Sequence, residues 1–169
     1  HSKNTEPTAE QRAKIQHPKK IRDLLSDANV TAMAGLSDKP HRPSYFVASY
    51  LTSEGYRVIP VNPLATEILG EKAYPDLKSI PFPVDVVDIV RRPAEVPQIV
   101  DDAKAIGAKA VWQQLRIINI DAAQAALDAG MVSVVDRCIK MEHGRYSGNL
   151  HWVGMNTEII SAKKARALR

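Results

Sequence analysis

Ser37, Lys39, Arg42 and Ser44 fall within eight residues, directly after Gly35 and the apolar run Val30-Thr31-Ala32-Met33-Ala34. Two hydroxyls and two cations gathered this way are donors for an oxyanion, and phosphate suits them best. Gly35 permits a sharp turn. Pro43 is a good first residue for a helix, because the N–H it lacks would be unpaired there anyway. A strand, a tight turn and a helix in that order aim free backbone N–H groups above the strand's end, where an anion is favoured. The helix would carry Phe46, Val47, Tyr50 and Leu51 on one face. The segment reads as a phosphate-binding βα turn.

The elements that must position these groups alternate along the chain. Short apolar runs predict strands over residues 30–36, 57–61, 84–90, 110–113 and 133–135. Helical spacing predicts helices over 19–26, 43–54, 94–106 and 120–129, with another starting near 137. Gly55, Gly107 and Gly130 are placed to close three of them, and Asn119 to cap one. Residues 64–83 read as irregular, with a helical turn around 75–79. Continuous apolar runs between helices imply a parallel sheet covered on both faces. The expected fold is α/β, a Rossmann-like, doubly wound, parallel five-stranded sheet in three α/β/α layers, with strand order 3-2-1-4-5. A ligand would then lie outside the carboxyl ends of the strands, beside strand one.

Cations stand at three of the four strand ends that can be compared. Lys39 and Arg42 follow strand one, Arg91 and Arg92 follow strand three, and Arg116 follows strand four. That favours a ligand with several phosphates. The usual NAD site also wants an Asp or Glu at the end of strand two and a G-x-G-x-x-G turn. Here strand two ends in Val61-Asn62-Pro63, and only Gly35 stands in the turn. NAD loses its two best supports, while NADP stays open because cations could take its 2′-phosphate.

Length and composition bound the rest. The 169 residues suit one domain, and 44% hydrophobic with 25% charged residues is ordinary for a globular protein. A chain this size buries roughly 70% of its unfolded surface, so no metal or disulfide is needed for the core. No apolar stretch approaches the ~20 residues of a membrane span. The first eight residues do not read as a secretory signal, and His1-Ser2 without an initiator Met reads as the scar of a purification tag. One cysteine, Cys138, excludes an internal disulfide and fits a cytoplasmic location. The net charge of +4 sits largely at the ends, where Lys163, Lys164, Arg166 and Arg169 close the chain. With few aromatics among them, these read as solvated tails and not as a nucleic-acid surface. The expected organisation is a flexible segment over 1–16, a domain over 17–146 and an extension over 147–169, in which Trp152, Ile159 and Ile160 could dock on the domain or a second copy.

Several motifs together resemble the small bacterial CoA-binding domain proteins, relatives of the CoA-binding domain of the succinyl-CoA synthetase α subunit. They are Gly35-Leu36-Ser37 with Lys39-Pro40 and Arg42-Pro43-Ser44, Gly55 to Pro63, Ile68-Leu69-Gly70, Trp112-Gln113-Gln114, Asp136-Arg137-Cys138 and Glu142-His143. The resemblance spans about residues 18–146. It implies a Rossmann-like fold with coenzyme A across the strand ends. Gly35, Leu36, Ser37, Lys39, Arg42 and Ser44 would surround the phosphates. Val61, Asn62 and Pro63 would border the adenosine or pyrophosphate, with Arg91 and Arg92 close by. Trp112 and Gln113 would border the pantetheine arm. Where relatives often have Gly, this chain has Leu115-Arg116.

The functional expectation is a CoA or short acyl-CoA binder that senses or carries its ligand without catalysis, as a monomer or homodimer. Its rivals are an NADP-linked oxidoreductase, an acyl-CoA ligase component, or an interaction module working through the basic tail. A ligase would need a phosphorylatable His and a further subunit. Glu142 and His143 are adjacent, so on a helix they point in different directions, and structural hydrogen bonding is the expectation for both. Cys138 reads as a small core residue, with a mixed disulfide to the CoA thiol as the competing idea. No Cys/His group has metal-ligand spacing.

Overall fold

The computed structural model describes residues 2–154, with side chains over residues 4–147. In chain order the elements are α1 (Ser2–Thr5), α2 (Ala9–Ile15), α3 (Pro18–Asp27), β1 (Val30–Ala34), α4 (Pro43–Ser53) and β2 (Arg57–Val61). A small hairpin follows, β3 (Glu67–Ile68) and β4 (Glu71–Lys72), then a 3-10 turn at Leu77–Ser79 and β5 (Val86–Ile89). A second 3-10 turn at Pro93–Glu95 leads into α5 (Val96–Ala105), then β6 (Ala110–Gln113), α6 (Ile120–Asp128), β7 (Val132–Val134) and α7 (Ile139–Gly154).

The five longer strands form one parallel sheet in the order β2-β1-β5-β6-β7. Alternate residues serve opposite faces, as the pleat requires. Ala32, Ile59, Val87 and Val111 pack with α5 and α6 through Val96, Val100, Ala103, Ala122 and Ala126. Met33, Val58, Val86, Trp112 and Val134 pack with α3, α4 and α7 through Ile21, Leu25, Ala48, Leu51 and Ile139. The Rossmann-like three-layer α/β fold is as expected.

The strand order differs from the expected 3-2-1-4-5. The third long strand, β5, pairs directly with β1, with Ala34 opposite Ile89, so β2 is an edge strand. Pro60 gives the physical reason. It has no N–H to donate, which restricts its strand to an edge. Its outward carbonyl accepts instead from Tyr74 N at 2.9 Å, and Asn62 N returns a bond to Tyr74 O at 2.9 Å. One irregular strand of chain thus covers an edge that a full strand could not pair.

Within residues 2–16, read from the sequence as flexible, the chain forms two helices, α1 and α2. Thr8 and Gln11 make a reciprocal capping box at the start of α2. Ile15 is buried against Ile120, Ala123 and Val135, and Gln16 Nε2 donates to Val135 O at 3.0 Å. A seven-residue helix with one buried apolar side chain leaves no periodicity to read. Of the expected C-terminal extension, Ile159, Ile160 and the basic stretch 163–169 lie outside the described residues, as does the Trp152 side chain. No described helix is long and apolar enough to cross a membrane.

Candidate functional site

Strand order sets the site. The connection from β1 runs through α4 on one face of the sheet, while the one from β5 runs through α5 on the other. Neighbouring strands whose connections diverge leave a crevice at their carboxyl ends. Gly35 stands in it, its N–H bonded to Val61 O at 3.0 Å and its φ at +95°. A Cβ there would collide with the Arg91 side chain and sit 3.0 Å from Val90 O. Only glycine allows this approach. The stem of Arg91 therefore crosses the β1 turn, and residues from two strand ends share one spot.

The turn after Gly35 is shaped by its own hydroxyls. Ser44 Oγ accepts from Ser37 N at 3.1 Å, and Ser37 Oγ accepts from Lys39 N at 3.0 Å. Two N–H groups expected to face an anion are occupied within the protein. Arg42 caps α4 with no side-chain hydrogen bond, and Pro43 follows as the first helical residue. Leu36 is buried beneath the turn. Lys39 and Arg42 are exposed beside it and do not line the cleft described below. Asn62 ties the β1 and β2 turns together. Its Nδ2 donates to Leu36 O at 2.9 Å, while its Oδ1 accepts from Leu64 N at 2.8 Å and Ala65 N at 3.1 Å.

At the end of β5 the two arginines meet one carboxylate. Glu95 Oε1 lies 2.6 Å from Arg91 Nη2, and Glu95 Oε2 lies 3.3 Å from Arg92 Nε. The hydrogen bond from Arg91, and then that from Arg92, hold the Glu95 carboxyl below its ordinary range. The Arg92 side chain is largely in solvent.

From Gly35 and Arg91 a cleft of about 520 Å³ extends over the face covered by α5. That volume falls in the range of small-molecule sites. Val61 and Pro63 form one wall, Pro75 to Leu77 a second, and Ala94, Glu95, Gln98, Ile99 and Asp102 of the α5 side a third. Sequence reasoning found Gly35, Val61, Pro63 and Arg91 and missed the other two walls. The α5 wall was legible only through the true strand order, which puts the start of α5 beside Gly35. Carboxylates temper the expected positive charge. Asp102 pairs with Lys78 at 3.5 Å, and Asp76 Oδ1 caps the 3-10 turn through Ser79 N at 2.8 Å.

The far end of the same sheet edge departs from expectation. Trp112 is 0% exposed, packed among α3, α4 and α7 residues, with Nε1 donating to Arg137 O at 2.8 Å. Gln113 is equally buried. Its Oε1 accepts from Asn119 N at 2.7 Å and its Nε2 donates to Asn119 O at 3.1 Å. Both side chains are buried and hydrogen-bonded within the fold, and neither presents exposed side-chain surface to a pantetheine arm. Both hold the loop into α6 and α7, which departs from the bordering role that the resemblance implies. Leu115 is exposed at the tip of this loop, while Arg116 adopts a left-handed φ of +66° and its N–H bonds Asp136 Oδ1 at 2.7 Å.

Other reactive side chains lie on the face opposite the cleft. His143 is buried, with Nδ1 2.8 Å from Tyr50 Oη and its ring edge-on to Tyr56. Glu142 is buried beside Arg145 at 3.5 Å and Arg137 at 3.8 Å. Cys138 is half-buried just before α7. Asp88, in β5, is fully buried with neither carboxylate oxygen hydrogen-bonded, and burial pushes its pKa well above the ordinary carboxylate value.

The fold is shared with known proteins that this chain is similar to. A protein of Bacillus subtilis (strain 168), YneT, is 36% identical over 131 residues, which is 76% of this chain and 97% of that one. A solved structure from Pyrococcus horikoshii OT3 superposes with a TM-score of 0.74 at 39% identity, covering 76% of this chain and 91% of that chain. A dinucleotide-forming acetyl-coenzyme A synthetase of Ca. Korarchaeum cryptofilum, solved with phosphate and ADP, matches 65% of this chain but 26% of its own length, with TM-score 0.55 and 25% identity. The family model described as "CoA binding domain" matches residues 29–144, from the residue before β1 into α7. The chain therefore belongs to the CoA-binding domain family, and the Gly35–Arg91 crevice lies within the matched residues.

Proposed function

We propose that this protein binds coenzyme A or a short acyl-CoA, with the adenosine diphosphate end in the cleft and the phosphates at Gly35 and Arg91. The observation that carries the reading is the meeting of Gly35 and Arg91 at the switch point of the sheet, at the head of a 520 Å³ cleft. A close-approach glycine beside a forked cation suits a diphosphate. Val61, Pro63 and Leu77 supply apolar wall for an adenosine.

The role is binding without catalysis, for sensing or carrying the ligand. In support, the adjacent pair Glu142 and His143 packs on the other face of the sheet, away from the cleft. A ligase component is the second reading, favoured by the likeness to the Korarchaeum synthetase. Thermal-shift titration tests the ligand directly. CoA at a hundred times its Kd contributes about 2.7 kcal/mol, a rise of roughly 5–10 °C for a chain of this size, while NAD and NADP produce none. A larger rise with NADP overturns the proposal. Turnover of acyl-CoA by the isolated chain would favour the ligase.

A further inference from the structure

We propose that Glu95 is a built-in competitor for phosphate at Arg91: its carboxylate engages the guanidinium until a multiply charged anion displaces it, and so it sets which anions the crevice accepts. The inference rests on the reading above that phosphates bind at Arg91, and adds the residue that governs their selection.

One carboxylate engages four donors at the end of β5. Glu95 Oε1 accepts from Arg91 Nη2 at 2.6 Å and Nε at 3.3 Å, while Oε2 accepts from Arg92 Nε and from the Arg92 backbone N–H, both at 3.3 Å. These are the donors an incoming phosphate would use. Both Arg91 nitrogens converge on a single oxygen, short of the parallel two-oxygen fork that guanidinium makes with its best partners. A phosphate with two free oxygens completes that fork.

The contact is also easy to open. Arg91 and Glu95 side chains are 46% and 33% exposed, and ion pairs in that setting add little to stability. The Arg91 stem lies close over Gly35, at the head of the cleft. In the proposed displacement Glu95 moves aside and the guanidinium stays at the crevice.

Charge gives the selectivity. Two arginines against one carboxylate leave a single net positive charge at this strand end. A monoanion that replaces Glu95 merely exchanges one negative charge for another. A diphosphate brings more than one, and gains attraction that the carboxylate did not provide. Opening the Glu95 contact costs every anion the same, so a monoanion recovers little of that cost while a diphosphate recovers it and binds.

Calorimetric titration of pyrophosphate and of inorganic phosphate into wild type, Glu95→Gln and the double variant Glu95→Gln/Arg91→Met tests this, with CoA titrated in parallel. Glu95→Gln is expected to bind pyrophosphate roughly three- to fivefold tighter, in line with the small worth of exposed pairs, and inorganic phosphate by a similar factor from a weaker starting affinity. The double variant loses both gains. Equal, weaker or undetectable pyrophosphate binding by Glu95→Gln overturns the proposal, as does a gain that survives without Arg91. A pyrophosphate gain with no CoA binding leaves the competitor standing and removes the CoA reading. CoA binding with no change on pyrophosphate does the reverse.

Discussion

Two stretches of the same sheet edge, the β1/β5 end and the β6/β7 end, carry polar residues of similar promise in the sequence. At the first, Gly35 and Arg91 meet in an open crevice, and the Arg91 guanidinium is held by a half-buried carboxylate, that of Glu95. At the second, Trp112, Gln113 and Asn119 have their donors and acceptors taken up by Arg137 O, by each other and by Pro93 O. A polar side chain whose bonds are closed inside the fold holds the fold. One left with a replaceable partner can hold a ligand. Variants at the closed end should therefore move stability and leave affinity alone, and variants at the open end should do the opposite.

The largest expected effect is at the closed end. Trp112→Ala removes a fully buried indole and should destabilise by about 3–5 kcal/mol, read from urea unfolding. At the open end, Arg91→Met should weaken CoA roughly 10- to 100-fold, the worth of a charged hydrogen bond, with unfolding changed by less than about 0.5 kcal/mol. Calorimetry and urea melts on the same preparation check both halves. If Arg91→Met unfolds the protein, or Trp112→Ala weakens CoA in its folded fraction, the contrast between the ends fails.

Asp88 lies between the two ends, its Cα paired with Met33 and Trp112. Its carboxyl is raised by burial, so the native state keeps its proton after the unfolded chain has released one near pH 4. The unfolded state then binds fewer protons, and stability from this group falls as pH rises through the window between the two values. Asp88→Leu should abolish that fall and, by removing an unpaired buried polar group, stabilise by about 1–3 kcal/mol at pH 7. Melting curves from pH 4 to pH 9 check it. An unchanged pH profile would show that the carboxyl has a partner.

Smaller effects sharpen the same contrast. Asn119→Ala removes the cap that accepts from Ala122 N at 3.0 Å and should cost about 1–2 kcal/mol of stability without altering CoA affinity. Lys39→Ala, an exposed cation outside the cleft lining, should weaken CoA by less than about threefold and steadily less at higher salt.

Much of the fold was legible in the sequence because both-face burial writes continuous apolar runs. Arg57–Val61 and Ala110–Gln113 match the expected strands residue for residue, and Gly107 and Gly130 close their helices with positive φ. Strand order was misread although Pro60 carried the information, since a proline inside a strand marks an edge. The hairpin at Glu67–Ile68 and Glu71–Lys72 left no pattern, because two-residue strands are too short for one. In the site, residue type located the glycine and the arginine. It could not tell Arg91, which faces a cleft, from Gln113, which faces the loop it secures, because that depends on which polar groups find partners after folding.

The account rests on the crevice at Gly35 and Arg91 taking the phosphates of CoA while the β6/β7 end stays closed. Nitrogen-15 NMR during a CoA titration follows both ends at once. The Gly35 amide and Arg91 Nε signals should shift and saturate together, while the Trp112 indole N–H stays in place. A Trp112 signal that moves while Gly35 and Arg91 stay unchanged would contradict it.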